Sequence, residues 1–177
     1  MQVNNNYSPN FGMALRIKPE AKTKLAQQSL DYLANLRKAG EELKDHRYVD
    51  VDLTENLSPI VNRRGCANAY AAPFKPTKLH GDGIEVETRW AGSGSMQPGE
   101  NYTAYLRFAN SEEAAKAYED LQKANGKGTL ESAVEFAKAQ EKSSAYRAYL
   151  EAQEAQRQAQ VNAEVEKLMN DFPDANW

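Results

Sequence analysis

Apolar and polar residues alternate twice in quick succession in the middle of the chain. In Ile84-Glu85-Val86-Glu87-Thr88-Arg89-Trp90 the apolar residues fall on even positions and the charges on odd ones, the period-two signature of a half-buried strand. After a Gly/Ser loop, Tyr102, Ala104, Leu106 and Phe108 alternate with Thr103, Tyr105 and Arg107. Strands over 84–90 and 102–109, paired antiparallel with the loop at their tip, are therefore predicted. A helix over 111–125 follows. Ser111 offers a capping oxygen, Glu112 and Glu113 suit the positive end of the dipole, Ala114, Ala115, Tyr118 and Leu121 share a face, and Gly126 stops it.

Earlier in the chain, Phe11, Met13, Leu15 and Ile17 alternate as a first strand that Pro19 ends. Pro19 and Glu20 then open a helix that runs to Ala39, with Gly40 as its stop and Leu25, Ala26, Leu30, Tyr32, Leu33 and Leu36 as its apolar stripe. Val49, Val51 and Leu53 alternate with Asp50 and Asp52, giving a strand over 48–53. From 57 to 83 the pattern fades, because Pro59, Gly65, Pro73 and Pro76 interrupt any long element and Ile60-Val61 supports at most a short strand. Residues 1–10, uncharged and Asn-rich, read as a disordered arm.

The last element differs from the rest. From Thr129, a capping residue, to Phe172 there is neither Gly nor Pro, so one helix over 129–171 is predicted, packing partly on the domain of residues 11–128. Leu130, Val134 and Ala137 at its start and Val161, Val165, Leu168 and Phe172 at its end have helical spacing, whereas 151–160 holds only Glu, Gln, Arg and Ala. Ala145, Ala148, Ala152, Ala155 and Ala159 keep a three-four spacing, which is either a seam for another helix or a run of good helix formers in water. From Leu130 onward nine acids face five bases, a net charge of −4 that exceeds the −3 of the whole chain. The expected architecture is α+β: a mostly antiparallel sheet of about four strands covered by two helices, plus a long C-terminal helix.

Composition narrows the function classes without selecting one. A net charge of −3 and a sequence pI near 5.5 provide no general attraction to nucleic acid or anionic lipid. The single cysteine, Cys66, excludes an internal disulfide and fits a reducing compartment. No basic-then-apolar leader opens the sequence and no stretch is apolar enough for a membrane span, so a cytoplasmic location is expected.

Cys66 follows Arg63 and Arg64, whose charges would favour a thiolate, and His80 would be its base if the irregular region folded back. An enzyme using Cys66 is thus one alternative, although no orienting group or oxyanion site is visible. His46 and His80 with one cysteine fall short of a zinc set, and no cofactor is expected. Asp50 and Asp52 share one side of a strand, as either a hard-cation site or a wet sheet face. The loop Ala91–Gly99 is rich in Gly but joins two strands, so it lacks a phosphate cradle. Arg63, Arg64, Lys75, Lys78 and Arg89, with Tyr70, Phe74, Trp90, Tyr105 and Arg107, offer cations beside rings, the chemistry of single-stranded nucleic-acid binding.

Ala104-Tyr105-Leu106-Arg107-Phe108, followed by Asn110-Ser111-Glu112-Glu113-Ala114-Ala115-Lys116-Ala117, resembles the third strand and second helix of an RNA recognition motif, over about residues 100–127. The resemblance implies RNA binding with Tyr105 in the stacking role; Asn101, Tyr102 and Thr103 stand where that family has a basic residue, a glycine and an aromatic. Arg63, Arg64, Tyr105 and Arg107 are the residues of this alternative. The leading expectation is a non-enzymatic interaction or structural protein. It would bind itself or another protein through the C-terminal helix, with Tyr146, Tyr149, Leu150, Val161, Val165, Leu168 and Phe172 as anchors.

Overall fold

The computed structural model describes residues 14–94 and 96–174. The expected arm and the first residues of the expected opening strand lie outside them. Within them the protein is α+β, with a six-stranded mixed sheet and four α-helices. The strands are β1 (Leu15–Ile17), β2 (Val49–Leu53), β3 (Pro59–Arg63), β4 (Ala69–His80), β5 (Gly83–Trp90) and β6 (Asn101–Arg107), adjacent in chain order. Only β1 and β2 run parallel; every later pair is antiparallel. The helices are α1 (Lys22–Leu25), α2 (Leu30–Leu43), α3 (Ser111–Asn125) and α4 (Thr129–Asp171).

Several sequence-based expectations change. The helix expected over 19–39 is broken in two: a 3-10 turn and the four-residue α1 precede a fresh start at Ser29, whose hydroxyl accepts from the Tyr32 N–H at 3.1 Å. Gly40 does not stop α2, which continues to Leu43: no left-handed backbone occurs at Gly40, and Leu15 of β1 packs beside it. The region read as irregular forms β3 and β4. Pro73 falls where the β4–β5 register slips, while Pro76 stays in register with Val86 at the border of a second slip, beyond the part of β4 that pairs with β3. The sheet thus has six strands where about four were expected. The cap of α3 also moves one residue, to Asn110, whose side-chain oxygen accepts from the Glu113 N–H at 2.9 Å.

The largest departure concerns α4. Its first four turns are not a cover but the object the sheet encloses: Leu130, Ala133, Val134, Phe136, Ala137 and Ala139 are all buried. Phe136 stacks on Phe74 with ring centroids 5.1 Å apart and meets Tyr70 edge-on at 5.6 Å. Glu141 accepts hydrogen bonds from Tyr48 (2.8 Å) and Val49 (3.0 Å) at the start of β2, while two residues later the Ser143 hydroxyl accepts from the Arg107 N–H (3.2 Å) at the end of β6. A flat sheet would hold β2 and β6 about 19 Å apart at its usual strand spacing. Residues two apart on a helix cannot bridge that, so the sheet curls around α4, and Ser143 occupies part of the otherwise open β6 edge. Inward residues such as Val51, Val61, Phe74, Ile84, Val86 and Leu106 fill the space between.

Candidate interaction surface

The burial of α4 ends abruptly. Ser143 and Ser144 are buried, Tyr146, Ala148 and Leu150 are half-buried, and every residue from Glu151 to Asp171 is exposed although the helix continues. At 1.5 Å per residue that exposed part projects about 30 Å. Local chemistry sustains it. Alanine, glutamate and glutamine have high helix propensity, and Arg157 forms two hydrogen bonds to Glu154 at 2.6 and 3.0 Å. Gln158 and Asn162 add a bond at 2.9 Å.

Apolar side chains are nevertheless presented on this rod. Val161, Val165, Leu168, Met169 and Phe172 are 41%, 49%, 49%, 59% and 74% exposed. At about 100° per residue, Leu150, Val161, Val165, Leu168 and Phe172 fall within an arc of about 60°. Met169 lies at its border and went unnoticed in the sequence, although its position next to Leu168 marks it. Glu154 falls inside this arc, and Arg157 and Gln158 within about 20° of its edges, between Leu150 and Val161, so the continuous apolar part begins at Val161. The alanine series lies on the opposite side, and Ala152, Ala155 and Ala159 are exposed. Among the other expected anchors, Tyr149 is exposed and accepts from Gln153 at 2.6 Å, while Tyr146 packs under the Arg107 guanidinium at 5.9 Å. Those two are held by the body and by their own helix.

Two of the hollows on the body differ in character. Between β1 and α2, Leu15, Ile17, Leu25, Leu33 and Leu36 line an open cleft of about 640 Å³ whose rim includes Arg37, Glu41 and Lys44. The stripe of α2 read as sheet-facing is thus shared: Leu36 is buried, Leu33 is half-buried on the cleft, and Leu30 is 83% exposed.

The second hollow, about 490 Å³, brings together Arg16, Asp50, Asp52, Arg63, Arg64 and Cys66. Its acids are engaged. Arg64 donates to Asp50 at 2.8 Å and to the Arg47 carbonyl at 3.2 Å; Arg16 donates to Asp52 at 2.9 Å, and Asn62 also donates to Asp52. Asp50 and Asp52 therefore neutralise arginines and do not form an open pair of cation ligands. Cys66 is exposed at the β3–β4 turn, whereas His80 ends the twelve-residue β4 and bonds to Glu85 at 2.8 Å. The expected base does not reach the cysteine.

The nucleic-acid residues are likewise separated. Arg63 and Arg64 lie at the end of β3, three strands along the sheet from β6, and meet different residues of α4: they share a hollow with Ser144 and Arg147, whereas Arg107 bonds Ser143 and covers Tyr146. Tyr105 is 53% exposed, but its ring covers Gly83 on the neighbouring strand and leans on His80 at 6.1 Å. Arg107 pairs with Asp82 at 3.1 Å. Glu85 and Glu87 stand beside Lys78 and Lys75 in the register, so that face is of mixed sign.

His46 is buried beside Glu141, and burial holds its imidazole below the ordinary value of 6.5 despite the nearby carboxylate. Among the described residues no helix is long and apolar enough to cross a membrane, and no group of three or more His, Cys, Asp or Glu is placed to hold a metal ion. Compared with models of known families, with curated proteins and with solved structures, the chain finds no match.

Proposed function

We propose that this chain is a non-enzymatic interaction protein whose protruding C-terminal helix packs against an apolar surface of a protein partner, a second copy of itself included. The observation that carries the reading is the stretch Glu151–Asp171, helical and exposed throughout, with Val161, Val165, Leu168, Met169 and Phe172 grouped on one side. A helix that exposes large apolar side chains to solvent gains their burial only on association. The acidic balance of the remaining surface keeps the unbound rod soluble and orients it toward basic surroundings.

The test compares the full chain with one ending at Leu150, a cut placed beyond the buried Gln140, Ser143 and Ser144. In light scattering at rising concentration the full chain is expected to exceed its monomer mass of 19.8 kDa, and the shortened chain to remain a monomer with its melting temperature within about 2 °C of the full chain's. Equal masses at every concentration would count against self-association through the rod.

A further inference from the structure

We propose that the occupant of the β1–α2 cleft is the C-terminal rod of a second copy of this chain, an inference that rests on the interaction reading above. The two surfaces match in shape class and in sign. The cleft offers Leu15, Ile17, Leu25, Leu33 and Leu36 in an open groove of about 640 Å³, and the rod offers Val161, Val165, Leu168 and Phe172 as a narrow ridge. The charged residues that line the cleft are Arg37, Glu41 and Lys44, a net of +1, and Lys44 pairs with Glu41 at 3.4 Å. Residues 151–174 carry six acids against two cations, a net of −4. Pairing two rods with each other would instead place −4 beside −4, which like-charge repulsion opposes.

The fold also explains why the contact is made between molecules. The rod continues the helix the sheet encloses, and among the described residues every one beyond Leu150 is exposed, with Glu151 still at the edge of a hollow that Tyr48 and Arg64 also line. A chain cannot bring its own ridge back to its own cleft without breaking α4, whereas a second copy meets no such barrier. The contact is heterologous: ridge on one copy, groove on the other. It closes into a pair if each copy gives and receives, and extends into a chain if the geometry does not close.

Two single-site variants of the full chain separate the possibilities: Leu168→Glu on the ridge and Leu33→Glu in the cleft, neither residue being buried in the core. Light scattering is expected to show that each variant alone associates at least about tenfold more weakly than the parent. Mixing them is expected to restore a 1:1 complex, because one supplies an intact cleft and the other an intact rod. Association is also expected to weaken as salt rises from about 50 to 300 mM, as screening removes the attraction.

Loss of association in Leu168→Glu alone, with Leu33→Glu like the parent and no restoration on mixing, would overturn the inference and leave the rod as the interaction surface. A parent that stays monomeric at every concentration would overturn the inference and leave the rod to a different protein partner. A monomeric parent that associates once residues 1–13 are deleted would mean that the chain's own first residues occupy the cleft, and would also overturn it.

Discussion

His46 and Glu141 form a small polar unit on which the start of β2 depends. Glu141 accepts from the backbone N–H groups of Arg47, Tyr48 and Val49 at 2.9, 2.8 and 3.0 Å, and the His46 Nδ1–H donates to the Val49 carbonyl at 3.2 Å. Burial disfavours the imidazolium, so the folded protein resists a proton that the unfolded chain accepts near its ordinary value of 6.5. The unfolded state therefore binds more protons across this interval. The stabilising contribution is present above pH 6.5 and falls away as pH drops through and below it. Urea midpoints measured from about pH 7.5 to 5.5 are expected to decline for the parent and to decline less for His46→Asn, which keeps a donor for Val49 but cannot charge. Equal slopes would remove His46 from the account. None of this was legible in the sequence, where His46 stood only as an isolated histidine, because its partner is 95 residues away on α4.

At the scale of elements, local rules succeeded where packing agreed with them. β2, β5, β6 and α3 appear within a residue or two of their expected limits, since alternation over several residues leaves one buried face and one register. β4 was missed, and β3 was allowed only as a short strand at Ile60-Val61, because prolines are poor evidence against a strand that they open or whose ladder slips beside them. Gly40 misled for a related reason: a glycine in a helix reads as a stop unless the strand that packs on it is known. A Cβ at Gly40 would meet the Leu15 Cδ2 at 3.5 Å, ordinary contact, and no left-handed backbone is required there. Gly40→Ala is therefore expected to stabilise the protein by about 0.5–1 kcal/mol in chemical denaturation, through reduced freedom of the unfolded chain. A loss of stability would show that β1 needs the closer approach.

The whole molecule is a curled sheet on one half of a 43-residue helix, with the other half standing free. A globule of this chain length would have a radius of gyration of about 16 Å. Small-angle scattering from dilute monomer is expected to exceed that by several ångströms, and the chain ending at Leu150 to return close to about 15 Å. A full-length value near the globular figure would mean the rod folds back. The sequence alone determined that such a helix exists and where its apolar ends lie, because helix propensity, the absence of Gly and Pro and the spacing of side chains are local properties. It also determined the alternating strands and the acidic balance of the tail. Only the tertiary structure decided which half of α4 is enclosed, because Ala133, Ala137 and Ala139 resemble Ala152, Ala155 and Ala159 in sequence and differ only in what surrounds them. It likewise decided that Cys66 and His80 stay apart, that Asp50 and Asp52 are matched to arginines, and that an apolar cleft rimmed by Arg37, Glu41 and Lys44 lies beside β1. Each of those is a contact between residues far apart along the chain, set by how the sheet curls.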